Sequence, residues 1–80
     1  VSTKLSPNEI YRRQQRLTQL EAEIASAEDR QTLLSQELTD PQAGHEKLHQ
    51  LSVELQQVQN LLAQHYREWE SLADELAENQ

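Results

Sequence analysis

The sequence predicts an all-α chain folded as one two-helix antiparallel coiled-coil hairpin. Three features predict it. The composition is rich in Gln, Glu, Leu and Ala, with one Gly, two Pro and no Phe or Met, and those abundant residues are good helix formers. Apolar residues recur at alternating three- and four-residue spacing through two long stretches, which is the coiled-coil period. One strong breaker, Asp40-Pro41-Gln42-Ala43-Gly44, separates the stretches. Few β-branched residues are left to build a sheet, and 80 residues suffice for one small domain.

The elements follow in order. Residues 1–5 read as the end of a linker. Ser6-Pro7-Asn8-Glu9 is a dense helix-start signal: Ser6 can cap, Pro7 suits the first helical position, and Glu9 stands where a capping box needs it. The first helix is expected over residues 6–39. Pro41 disfavours helical geometry at Asp40 and lacks an N–H, and Gly44 allows a positive φ, so residues 40–44 form the turn. The second helix is expected over residues 45–78, with 79–80 as a tail. Each helix would be roughly 50 Å long. A five-residue connection makes such helices antiparallel neighbours.

Both helices carry an unbroken seam. In the first it runs Ile10, Arg13, Leu17, Leu20, Ile24, Ala27, Gln31, Leu34, Leu38, and in the second Leu48, Leu51, Leu55, Val58, Leu62, His65, Trp69, Leu72, Leu76. Charges beside the seam set the register independently. Glu37–Lys47, Arg30–Glu54 and Arg16–Glu68 are each symmetric about Gln42, inside the turn. A slip of one heptad would set Glu37 against Glu54 and Glu23 against Glu68, or Arg30 against Lys47 and Glu23 against Glu54. Exposed pairs contribute only about 0.2–1 kcal/mol each, so their part is to select the register. A two-helix core is thin, and such a hairpin is expected to fray at its open end, dimerise or lean on further protein.

Composition excludes several function classes. The chain has no Cys, so neither disulfides nor thiolate zinc sites are available. No apolar run approaches the ~18 residues of a membrane span, and no basic, cleavable leader is present, so the expectation is a cytoplasmic protein without membrane contact. A net charge of −7 argues against tight nonspecific binding to nucleic acid. There is no Gly-rich phosphate loop and no nucleophile paired with a base, so no catalytic residue and no cofactor is assigned within these residues.

His45-Glu46-Lys47-Leu48-His49 matches the zinc-peptidase pattern of two His one turn apart with a Glu between them. The match is rejected. Leu48 belongs to the seam, and Glu68 and Glu70 would lie roughly 30 Å farther along the same helix. His65, near Leu17 and Leu20, reads as a half-buried neutral imidazole. Trp69 reads as a seam anchor near Arg13 and Leu17, with Arg13 against the indole face. Lys4, Arg12, Arg13 and Arg16 gather near the N-terminus beside Tyr11. They read either as a solvated flank with Glu9 and Glu68 as partners, or as a phosphate-contacting cluster.

Several ordered stretches carry a family resemblance. Lys4-Leu5-Ser6 opens the first helix. Leu20-Glu21-Ala22-Glu23-Ile24 follows, then the Leu38-Thr39-Asp40-Pro41 exit, then Leu48 to Leu55. Tyr66-Arg67-Glu68-Trp69-Glu70-Ser71-Leu72 stands near the end. Together, from about Lys4 to Leu76, they resemble the C-terminal coiled-coil domain of ABC-F ATP-binding proteins, particularly the Uup type. The resemblance implies upstream nucleotide-binding domains in the same chain, with ATP and Mg as cofactors there. It implies ribosome-associated action for the parent ATPase and DNA binding, including branched DNA, for the tail domain. The candidate contacts to DNA or ribosomal RNA are then Lys4, Arg12, Arg13, Arg16 and Arg67, and the expected role is noncatalytic. The rival readings are a protein-interaction or self-association coiled coil, with a homodimer as one form, and a tRNA-contacting arm of a synthetase.

Overall fold

The computed structural model describes residues 4–79. Two helices, α1 (Pro7–Glu37) and α2 (His45–Glu78), lie antiparallel in a rod of 58 × 20 × 14 Å. Neither is long and apolar enough to cross a membrane.

The start of α1 is fixed by its first residues. Ser6 adopts an extended conformation and its hydroxyl accepts from the Glu9 N–H, with Pro7 at the first helical position. The same hydroxyl donates to the Glu9 carboxylate at 3.1 Å, so the cap occupies the otherwise orphan Glu9 N–H, while the expected return bond of a capping box, from the Ser6 N–H to the Glu9 carboxylate, gives way to this bond to the hydroxyl.

The helix ends at Glu37, short of the expected residue 39. Leu38 keeps helical angles, but Thr39 and Asp40 donate to the carbonyls of Gln36 and Glu37, three residues back, so the last turn tightens before Pro41 stops it. The Thr39 hydroxyl also donates to Gln36 O at 2.7 Å. Asp40 then organises the reversal: its carboxylate accepts from Gln42 N and its carbonyl from Ala43 N, with Pro41 in the second turn position that its fixed φ suits. Gly44 does not use a positive φ. It sits at φ −79°, ψ 168° as the N-cap of α2, offering no side-chain hydrogen bond to the helix.

The core is one residue deep. Leu20 and Leu34 are fully buried, with Ile24, Ala27, Leu51 and Leu62 completing the buried set. Every one is a seam residue. The remaining seam positions of the described chain, Arg13, Gln31 and His65 included, are half-buried, because a second helix covers a seam from one side only. Since solvent still reaches the seam edges, the polar members are tolerated, and no buried side-chain polar atom among the described residues lacks a partner.

Two of the three register pairs form. Arg16 makes a bidentate pair with Glu68 at 2.6 and 2.8 Å, and Arg30 meets Glu54 at 2.6 Å. The third, Glu37–Lys47, does not close: Glu37 is the last residue of α1, where the chain tightens into the turn. At the open end the Asn79 side chain ties the ends together. Its carbonyl oxygen accepts from Leu5 N at 2.8 Å while its amide donates to Glu75 O at 2.7 Å.

Candidate nucleic-acid interface

The five candidate cations divide by their partners. Arg13, a seam residue, meets Glu75 across the hairpin and Glu9 one turn back. Arg16 is gripped by Glu68 and lies 3.7 Å from Glu23. Hydrogen bonding to Glu68 raises the Arg16 pKa above its ordinary value, and the same contact lowers that of the Glu68 carboxyl against the opposing effect of desolvation. Both shifts favour the Arg16–Glu68 ion pair, and with the Arg13–Glu75 contact it cross-links the open half.

Lys4, Arg12 and Arg67 are exposed and make no ion pair among the described residues. Arg67 turns its Nε toward the Ala63 carbonyl at 3.3 Å, on its own helix. Lys4 precedes α1, and Arg12 lies one turn before Arg16 on the same side of that helix. Lys4 and Arg12 therefore both lie toward the open end, whereas Arg67 lies on the outer row of α2, about level with Leu17.

The aromatic residue expected over Arg13 lies elsewhere. Trp69 packs against the Ile24 end of the buried cluster that Ile24 forms with Ala27 and Leu62, and its indole N–H points to Glu21 at 3.4 Å. The reason is directional. Side chains on a helix lean toward its N-terminus. In an antiparallel pair Trp69 therefore leans toward the turn and meets Ile24, while Arg13 leans toward the open end and meets Glu75. His65 leans the same way: its Nε2 lies 3.7 Å from Glu23, and it shares a groove with Ala27 and Val58.

The two flanks of the seam differ in kind. One carries Arg16–Glu68 and Arg30–Glu54. The other carries Tyr66, whose hydroxyl donates to Glu28, and an open groove of about 340 Å³ lined by Glu21, Ile24, Glu28, Tyr66, Trp69 and Glu70. The bond to Glu28 raises the Tyr66 phenol pKa above its ordinary value. Sequence reading missed this groove because Glu21, Glu28 and Glu70 look like ordinary solvated positions until the lean of Trp69 brings a ring between them. It also missed the Asn79 clasp, for which one Asn near a chain end gives no signal.

His45 and His49 are both exposed in the first turns of α2. Among the described residues no group of three or more His, Asp or Glu converges to hold a metal.

Residues 8–74 match the family model of the ABC transporter C-terminal domain. No curated protein and no solved structure gives a significant match.

Proposed function

The chain belongs to the ABC transporter C-terminal domain family, and we propose that it serves an ABC-F type ATPase, close to the Uup type, as a noncatalytic coiled-coil arm that contacts nucleic acid weakly. In this reading the nucleotide-binding domains, with their ATP and Mg, belong to other parts of the parent protein. The observation that supports it is the pair of exposed, unpaired cations at the open end, Lys4 and Arg12. Their freedom contrasts with Arg13 and Arg16, whose charge is largely met by Glu75 and Glu68. Phosphates of DNA or ribosomal RNA fit unpaired cations on a rigid helix. The acidic balance of the chain turns the rest of the rod away from the polyanion, so contact is end-on.

Gel-shift titration at low salt with branched DNA and with ribosomal RNA tests this. Neutralising Lys4, Arg12 and Arg67 should abolish binding, and the salt slope of the intact chain should correspond to about two or three phosphates. Binding that survives those substitutions, or none at tens of micromolar, refutes the reading.

A second reading, self-association, is favoured by one observation: Leu33, Val53 and Leu61 are 51%, 44% and 45% exposed. Sedimentation equilibrium separates the two. A monomer across the micromolar range with full helicity removes self-association.

A further inference from the structure

The charge on the Trp69 side of the hairpin is one-signed. Of the six residues lining the groove, three are glutamates and none is basic. The rows that flank the seam on this side carry neither Lys nor Arg along either helix, because the helical bases Arg16, Arg30 and Lys47 occupy the opposite flank and Arg12 the row beyond it. The nearest base, Arg67, sits on the back of α2 with its Nε on a backbone carbonyl. Glu21 and Glu70 have no cationic partner among the described residues.

The aromatic side chains are placed to use that charge. The Trp69 indole N–H reaches toward Glu21 and the Tyr66 hydroxyl holds Glu28, so two carboxylates are positioned at the groove's edges by ring donors. The floor is apolar, with Ile24 beside the half-buried indole. An apolar floor, an indole face and a carboxylate rim match a side chain with an aliphatic stem and a cationic head. Arg and Lys are such side chains, lying stem-down on apolar surface with the charge over an aromatic ring. A phosphate backbone would meet three carboxylates here and be repelled.

We propose that this groove docks an arginine- or lysine-bearing segment of a basic protein partner, with one cationic side chain on the Trp69 face between the Glu21, Glu28 and Glu70 carboxylates. The surface is distinct from the cationic open end and stands whether or not that end binds nucleic acid.

Trp69 is the single Trp of the chain, so it reports occupancy directly. Titration of the chain with acetyl-hexa-arginine amide at low salt should give a saturable change in its emission. A glutamine peptide of equal length should give none. Glu21→Gln with Glu70→Gln should weaken binding at least about fivefold, a size in keeping with loss of a partly desolvated charge contact. Glu46→Gln with Glu78→Gln makes the same change in net charge away from the groove and should leave affinity within about twofold, since remote charges act only through a screened field. Trp69→Phe, followed by calorimetry, should also weaken binding. Glu70→Gln alone is the safeguard against loss of fold, because the exposed Glu70 side chain makes no hydrogen bond or ion pair among the described residues; circular dichroism confirms helicity for each variant. Equal weakening by both glutamate pairs would mean diffuse attraction to an acidic rod and overturns the proposal. So does the absence of saturable binding, or an oligonucleotide that competes for the same glutamates.

Discussion

Replacing Gly44 by Asp should make the hairpin more stable. Gly44 occupies the N-cap of α2 with an extended backbone, contributes no capping hydrogen bond, and has nothing within 4 Å of where a Cβ would stand. An Asp therefore enters without strain, and its carboxylate can accept from the N–H of Glu46 or Lys47. Three contributions add. Capping by Asp in place of Gly is a gain of a few tenths of a kcal/mol. A negative charge at a helix N-terminus contributes about 0.3–1 kcal/mol at low salt. Removing a Gly from the unfolded chain contributes about 0.4–1 kcal/mol. Repulsion from the chain's net charge of −7 subtracts from this, leaving about 0.5–1.5 kcal/mol. At ~4–8 °C per kcal/mol for a domain this small, thermal melts at 222 nm should shift upward by several degrees. Gly44→Ala is the control. It gains the same chain entropy but leaves the cap empty, so it should fall about 1 kcal/mol below Asp. If Ala equals or exceeds Asp, the cap is not what α2 lacks.

Other perturbations test the core, the register and the ionisable groups. Leu20→Ala or Leu34→Ala, at the two fully buried positions, should cost about 2–5 kcal/mol and leave the chain largely unfolded by circular dichroism at room temperature. Reversing one member of the Arg30–Glu54 pair, as Arg30→Glu, should lower the melting temperature by an amount in keeping with about 0.2–1 kcal/mol, and adding Glu54→Arg should restore most of it. Glu68 is held below its ordinary carboxyl pKa by Arg16. Its contribution is therefore present above the unfolded value and is lost as pH falls through the lower folded one. Urea midpoints should drop on acidification through that range, with a shallower drop in Arg16→Gln. Tyr66 has the opposite sign. Its raised pKa contributes stability below the unfolded phenol value, lost as pH rises through the folded one, so Glu28→Gln should bring tyrosinate absorbance at 295 nm to lower pH.

The hairpin was legible in the sequence because each level of signal agreed. The three-four seam, the Ser6-Pro7-Asn8-Glu9 start and the Asp40-Pro41 stop all placed two helices around Gln42, and the Arg16–Glu68 and Arg30–Glu54 pairs form where that symmetry put them. What a heptad diagram omits is direction along the axis. It puts Trp69 level with Leu17 and cannot show that the ring tilts toward the turn while Arg13 tilts away, so the indole partner was misassigned and the groove went unseen. The candidate cations were visible as a basic cluster, but local charge count could not separate Arg12 from Arg16. Only the cross-helix distance to Glu68 does so. Gly44 was misread because a glycine after a turn usually means a left-handed residue, whereas here Pro41 and the Asp40 carboxylate complete the reversal first.

The Asn79 contact with Leu5 has a mechanical consequence. Incoming and outgoing backbone are fastened at one extremity, and the Pro41 tip stands at the far end of a rod 58 Å long. Such an object has the proportions of a lever arm. Any small tilt imposed where the two strands meet becomes a sweep of several ångströms at the apex. A load met by the apex returns to the base as torque along both helices together, because Arg16 and Arg30 lace them side to side against shear.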